Sequence, residues 1–493
     1  MSGRERAAVR WREADVEKWD REAEVVVVGL GAAGACAAIE AAEAGAETLV
    51  LERGWRGGGT SAESTGQIYL GGGTPLQEAC GFEDDPDDMF RYLVASCGPG
   101  ADEAKIRLFA DRSVEHYGWL TGHGIEFQEG FVPYEESTMP AADKSLTFTG
   151  SERAKPYCDL AKPAPRGHTV VQDGNPSGEK LMQVLIQSVA DAGAEIQPNT
   201  DVRTLVVDDA GRVVGVVAEV GGDTQFVRAR RGVVLTTGGF VRNEEMVARH
   251  APELLRCGRP IAAETSDDGS GIRMGMAAGG EAVRMGAACI VLGFAYGNRN
   301  NIRGILVNGH GHRYTNEDVY QSNHGEIALL RQDGQVYLIV DDSIYQPNPE
   351  DPELGGTTYP LLAVGETIEE LEAELSLPTG NLVHTVSAYN ENAARGEDPA
   401  FGKEACWLQP LATPPFAAID LRVGSGPYSV FTLGGMHTDA SQQVLDSDGE
   451  HVAGLFAAGR TASGIPAQGY NSGLSLGDAT FSGRVAGASA AGA

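Results

Sequence analysis

The residues VVVVGLGAAG, Val25 to Gly34, open a unit that Glu52 closes at the end of the next apolar run, TLVLE. A continuous run of valines predicts a strand buried on both faces. Gly29 then makes the tight turn, Gly31 lets the backbone approach a pyrophosphate, and Gly34 lets the following helix pack closely. That helix is expected from Ala32 to Ala44, nearly all alanine, with Gly45 as its C-cap. Its N-terminal turn offers N–H groups and partial positive charge to phosphates. Glu52 is placed to accept hydrogen bonds from ribose hydroxyls, and its carboxylate would repel a 2′-phosphate. A glycine pattern alone is common; between two strands, with an acid at this distance, it specifies a dinucleotide site.

Outward from this unit, the glycine-rich stretch Gly54 to Gly73 follows Glu52 directly and is expected to wrap around the cofactor. Residues 83–130 read as helical, 131–175 as loop, and Gly178 to Gly193 as another amphipathic helix. The runs VRTLVVDDAGRVVGVVAEV and TQFVRARRGVVLTTGGF carry β-branched strands broken at DDAG and GGD, the pattern of antiparallel hairpins. Gly232 to Thr237 returns to the parallel sheet and ends in a second phosphate-proximal turn, Thr237-Gly238-Gly239. Asp268 and Gly269 open a further helix. From Gly286 to Arg422 the character changes, with strands at IRGILVN and VYLIVDD and a helix at TIEELEAEL. GLFAAGR and a closing helix then restore the glycine-punctuated sheet. The expected arrangement is an α/β nucleotide fold built from residues 1–286 and 423–493, interrupted by a substrate domain at 287–422.

The 493 residues suggest about two to four domains. With 38 basic and 69 acidic residues the net charge is −31, a surface that disfavours nucleic acid and anionic membranes. Seven cysteines without a CxxC pair argue against a disulfide framework, a zinc site or an iron–sulfur cluster. Met1 to Glu24 is charged throughout, unlike a secretory signal, and no apolar run reaches about 18 residues. A cytoplasmic protein without a membrane span is expected. His437 reads as a strand residue, and His310, His312 and His324 as surface loop with no metal site.

The strings GAEIQPNTDVRTLVVDDAGRVVGVVAE, RARRGVVLTTGGF, DDGSGIRMG and GLFAAGR resemble the flavoprotein family of fumarate reductases and 3-ketosteroid dehydrogenases, in the family's order over residues 22–488. The resemblance implies FAD in a Rossmann-type domain, with an inserted α+β catalytic domain capping the isoalloxazine. It implies that Gly29, Gly31, Ala33, Gly34, Glu52 and Arg53 hold the ADP part. Gly59, Thr60, Ser61 and Gly66 would lie near the pyrophosphate and flavin, and Val202 would meet the adenine through its backbone. Thr237, Gly238, Gly239, Asp268, Gly459 and Arg460 complete the implied cofactor site. Gly473, Ser475 and Leu476 would start the final helix, whose dipole stabilises negative charge on reduced flavin. Members with covalent flavin carry a histidine in the loop after the first unit; TSAESTG has none, so FAD is expected to bind noncovalently.

Fumarate reductases need arginines, because forked guanidinium groups bind a dicarboxylate in pairs. This chain reads RYTNEDVYQSNHG, with Tyr320 where an arginine is expected. Its C-terminal segment IPAQGYNSGLSLGD has Tyr470, Asn471 and Ser472, and no arginine between Arg460 and Arg484. NED-x-Y with PAQGY-x-SGLSLGD is similar to 3-ketosteroid Δ4-(5α)-dehydrogenases, which oxidise a saturated ring-A ketosteroid to the 4-ene-3-one; the Δ1-dehydrogenases differ in the C-terminal turn. The implied reaction suits a ketone. Tyr470 and an N–H of the Gly473–Leu474 turn would stabilise the enolate oxygen. Tyr320, directly or through the Ser472 hydroxyl, would take the proton from carbon 4. The flavin would accept the hydride from carbon 5. Each side chain also has an ordinary reading, a packed tyrosine or a serine N-cap. Phe294, Tyr296, Tyr345 and Phe431 are candidates for an apolar steroid lining. No haem or iron–sulfur motif is present, so a separate electron acceptor is expected. The alternatives are a flavin reductase of another enone or unsaturated acid, a Δ1-ketosteroid dehydrogenase, and a non-catalytic flavin carrier.

Overall fold

In the computed structural model, which describes residues 10–133, 144–172, 176–258, 267–295, 298–346 and 359–493, the opening valines form strand β1 (Arg21–Val28). Val25, Val26 and Val27 are wholly buried. Helix α1 (Ala32–Glu43) and strand β2 (Thr48–Leu51) follow, with Val25 opposite Thr48 in parallel register. Two glycines make this turn possible. A Cβ on Gly29 (φ +100°) would lie 2.7 Å from the Thr236 carbonyl oxygen, and one on Gly34 would lie 2.0 Å from the Gly29 carbonyl oxygen.

Helices α2 (Pro86–Ser96) and α3 (Glu103–Gly122) start at aspartate N-caps, Asp85 and Asp102, whose carboxylates accept first-turn N–H bonds. Helix α4 (Ser177–Asp191) matches the predicted amphipathic segment. Strands β3 (Glu195–Gln197), β4 (Thr200–Val207), β5 (Val213–Val220) and β6 (Asp223–Leu235) complete most of the main sheet. β6 is long because it serves two neighbours. Its first part closes an antiparallel hairpin with β5, and its second runs parallel to β1, Val233 opposite Val26. The sheet order is β4-β5-β6-β1-β2-β3, with Trp11–Arg12 beyond β4.

Helix α5 (Ser270–Ala277) and strand β7 (Ala288–Leu292) lead into the middle block. It comprises β8 (Ile305–Asn308), α6 (Gln321–Arg331), β9 (Val336–Asp341), β10 (Leu361–Gly365), α7 (Ile368–Glu374), α8 (Asn381–Ala393) and β11 (Phe416–Asp420). Its sheet runs β8-β9-β11-β10, all antiparallel. Strand β12 (Tyr428–Thr432) pairs with β7, so the two ends of the block meet in one ribbon. Strand β13 (His451–Ala457) rejoins the main sheet parallel to β6, and helix α9 (Leu474–Gly492) ends the chain against α1. Cβ atoms on Gly483 and Gly487 would lie 2.3 and 2.2 Å from the carbonyl oxygens of Ala33 and Ala37, which is how closely the two helices approach.

Three expectations need correction. Residues 131–175 are not simply loop: Phe131–Val132, Leu146–Thr147 and Gly167–Thr169 join Gln67–Tyr69 in a four-stranded sheet. Strands of two or three residues are too short to carry a period. His324 is not on the surface; it is fully buried on α6, its Nε2 2.7 Å from the Asn316 carbonyl oxygen, and burial pulls its pKa down to about 4. His437 sits just past a strand rather than in it, its ring 2.9 Å from a Glu281 carboxylate oxygen. His310 and His312 are exposed, and no metal-binding cluster occurs among the described residues. The seven cysteines are free thiols, and no described helix is long and apolar enough to cross a membrane. Tyr296 lies outside the described residues.

Candidate active site

A cavity of about 480 Å³ opens at the C-terminal ends of the parallel strands, where α/β folds place their ligands. Its wall at the tip of β2 is made by Glu52 and Arg53, joined by Val202 from β4; the Glu52 carbonyl accepts the Thr200 N–H at 2.9 Å. Gly29, Gly31 and Ala33 from the first turn, and Gly59, Thr60 and Ser61 from the following loop, continue the wall. Thr237, Gly238, Gly459 and Arg460 face the same space. Beyond them stand Tyr320, Phe431, Tyr470, Ser472, Gly473, Ser475 and Leu476.

The local sequence accounts for these placements. The Glu52 carboxylate accepts the N–H groups of Leu30 and Gly54, so it braces both glycine turns while lining the cavity. The Ser61 hydroxyl accepts the Ala32 N–H at 3.2 Å, tying the loop to the start of α1. Asp267, which the sequence reading passed over for its neighbour, accepts the Gly239 N–H at 3.0 Å and pairs with Arg460 at 2.7 Å. Asp268 does not line the cavity; it pairs with Arg53 at 3.0 Å. Adjacent acids at a turn point different ways, and only the fold assigns the inner one. Gly34, Gly66 and Gly239 also stand behind the wall. Gly66 (φ +67°) turns the chain where a Cβ would meet Ser177 at 2.4 Å.

Cys289 and Val291 on β7, Gln67 and Thr169 from the small sheet, and Gln321 also line the cavity and were not anticipated. Cys289 and Val291 alternate along one strand, a period-two signal that was readable once β7 is known to face the cavity. Of the proposed apolar residues that are described, Phe431 alone lines it. Phe294 is buried against His324, and Tyr345 packs on the core beneath the middle block.

At the far end the two phenol rings face one another, with centroids 6.4 Å apart. Tyr320 is the N-cap residue of α6, held by its N–H to the Ser151 hydroxyl at 3.0 Å. Tyr470 is 8% exposed and edge-on to Phe431 at 5.3 Å; its oxygen accepts the Ser475 N–H at 3.2 Å. Burial, reinforced by the Cys289 thiol, pushes the Tyr470 pKa up to about 12. This phenol is therefore a proton-bearing donor at neutral pH. The Leu474 N–H is committed to the Asn471 carbonyl at 3.1 Å, so it is not free to meet a ligand in the cavity. The preceding NED residues have structural work: Glu317 is buried between Arg313 and Lys403, at 2.6 and 3.2 Å. The lining holds two arginines, Arg53 and Arg460, each bound to its own aspartate, Asp268 and Asp267. They do not form a paired carboxylate clamp.

The donor set fits a flavin dinucleotide. The Gln67 Oε1, Ser475 Oγ and Arg460 Nη1 atoms are buried in this wall without a protein partner, and Gly473 leaves the N-terminus of α9 without a side-chain cap. The glycine turn supplies the close backbone approach.

A family model for the FAD binding domain matches residues 24–476. A crystal structure of 3-ketosteroid-Δ4-(5α)-dehydrogenase from Rhodococcus jostii RHA1, in complex with 4-androstene-3,17-dione, is 45% identical, with a TM-score of 0.91 and coverage of 98% of this chain and 99% of that one. The 3-oxo-5-alpha-steroid 4-dehydrogenase of Comamonas testosteroni is 30% identical over 90% of this chain and 94% of its own length. A vinyl phenol reductase of Lactiplantibacillus plantarum is 27% identical over 95% and 96%. The chain belongs to this FAD-binding flavoprotein family.

Proposed function

We propose that the protein is an FAD-dependent dehydrogenase that introduces a carbon–carbon double bond next to a ketone, with a 3-ketosteroid reduced at carbon 5 as substrate. The observation that carries this reading is the pair of phenols, Tyr320 and Tyr470, facing each other beside Ser472 where a dicarboxylate enzyme would need guanidinium forks. FAD, when bound, supplies the acceptor for the hydride leaving carbon 5. Tyr470, protonated because burial disfavours its anion, donates to the ketone oxygen together with the Gly473 N–H. That polarisation acidifies carbon 4, and Tyr320, directly or through Ser472, takes the proton. The result is one proton and one hydride lost and a 4-ene-3-one formed.

FAD is held noncovalently in this reading, which the absence of a histidine from the lining among the described residues supports. Residues 287–422 form the substrate domain, and electrons leave to a separate acceptor. The seven free thiols favour the cytoplasm. Tyr470→Phe is expected to lower turnover of a 5α-reduced 3-ketosteroid by about 10²–10³-fold, the cost of one oxyanion donor. Tyr320→Phe is expected to fall at least as far. Both should keep the parent's FAD content, released by acid into the supernatant. Full turnover in both variants would reject the assignment, and a flavin reoxidised by an unsaturated acid or vinyl phenol but indifferent to steroids would favour a reductase.

A further inference from the structure

The three proposed catalytic residues lie on two segments far apart in sequence, yet one buried turn holds both. Thr149 to Glu152 follows the short strand Leu146–Thr147. The Thr149 carbonyl accepts the Ser472 N–H at 2.9 Å, and the Ser151 hydroxyl accepts the Tyr320 N–H at 3.0 Å. Gly150 packs between them; a Cβ there would meet Asn471 Oδ1 at 3.0 Å and Tyr320 Cβ at 3.1 Å. The Ser151 N–H donates to the Tyr92 hydroxyl at 3.0 Å, and that hydroxyl donates to Asn471 Oδ1 at 2.7 Å, a second tie to the same segment.

What shapes this turn is the carboxylate of Glu152. One oxygen accepts the Thr149 N–H at 3.1 Å and the Thr149 hydroxyl; the other accepts the Gly150 N–H at 2.8 Å. Glu152 is 1% exposed and absent from the cavity wall. Burial raises the Glu152 pKa above the usual carboxylate range, and three local donors together with the Arg166 charge act against that cost. A general stability role would not require the turn to grip Tyr320 and Ser472 at once.

We propose that Glu152 is a positioning residue for the reaction: by closing the turn that binds the main chains of Tyr320 and Ser472, it fixes the distance and orientation between the base and its hydroxyl relay. The inference rests on the functional reading above. Glu152→Gln tests it, because the amide sets an NH2 group against a main-chain donor while keeping size and burial. The FAD-loaded variant is expected to lose about 10- to 100-fold in kcat with the 5α-reduced ketosteroid, the scale of a misplaced reacting group. KM should stay within about two-fold and FAD content unchanged, since Glu152 touches neither molecule. The ascending limb of kcat against pH should move as well, because a loosened relay changes how well the deprotonated base is stabilised. An unchanged kcat and pH limb would overturn the proposal, as would a joint collapse of kcat, KM and FAD content. If Glu152→Gln does not yield folded protein, Ser151→Ala, which removes only the acceptor for the Tyr320 N–H, decides by the same criteria. A parent enzyme whose flavin ignores ketosteroids would refute the functional reading and this proposal with it, whereas an active parent with indifferent variants would refute the proposal alone.

Discussion

Tyr470 and Glu326 show the same force used to different ends. Burial keeps the Tyr470 proton in place, which suits a donor, and it also pushes the Glu326 carboxyl on α6 up to about 7. For Glu326 the consequence is thermodynamic. A carboxyl whose folded pKa lies above its unfolded value of about 4.5 contributes stability that is fully present below pH 4.5 and is lost as pH rises through 7. Glu326→Gln, which cannot ionise, should therefore leave the thermal midpoint unchanged near pH 4.5 and raise it at pH 8. The gain corresponds to about 1–2 kcal/mol, less than the full shift because the side chain is partly in contact with water. A variant less stable than the parent at pH 8 would show that the ionised carboxylate has a favourable partner. Residue chemistry of this kind is only half legible in a sequence. The types at 320, 470 and 472 were readable, but the choice of Asp267 over Asp268, and the commitment of the Leu474 N–H to Asn471, depend on which way each group points.

The elements that could be read in advance are those with a long period or a strong stop. β1, α1 and β2 follow from the valine run, the glycines and the alanine stretch, and β4 to β6 from β-branched runs broken by turns. The small sheet that presents Gln67 and Thr169 to the cavity could not be read, since its strands are two or three residues long and the one carrying Gln67 pairs with a segment about a hundred residues away. The glycines of α9 carry a meaning that emerges only from packing. Gly483 and Gly487 recur at the four-residue spacing of one helix face and meet the Ala33 and Ala37 carbonyls of α1. Because those obstacles are backbone atoms, Gly483→Leu must separate the helices. It is expected to cost at least about 1–3 kcal/mol and to weaken FAD retention, since the cofactor turn leads directly into α1. Thermal unfolding and flavin content check this; parental values for both would mean that the contact is slack.

Across the whole molecule, the cavity draws on segments from Val28 to Ala479, and its two ends are built differently. The end nearest β2 is a dinucleotide cradle that the first fifty residues already announce. The other end unites Tyr320 and Gln321 from the middle block with Tyr470 and Ser472 from the C-terminal segment, a meeting that no local pattern specifies. A resemblance in motif order made it foreseeable, and the structure brings two phenols and a hydroxyl together around that end of the cavity. The most direct measurement is an anaerobic titration of the FAD-loaded protein with a 5α-reduced 3-ketosteroid, followed by the flavin absorbance. The oxidised flavin band should bleach stoichiometrically as the 4-ene-3-one appears. An absorbance that stays unchanged in excess steroid would contradict the account.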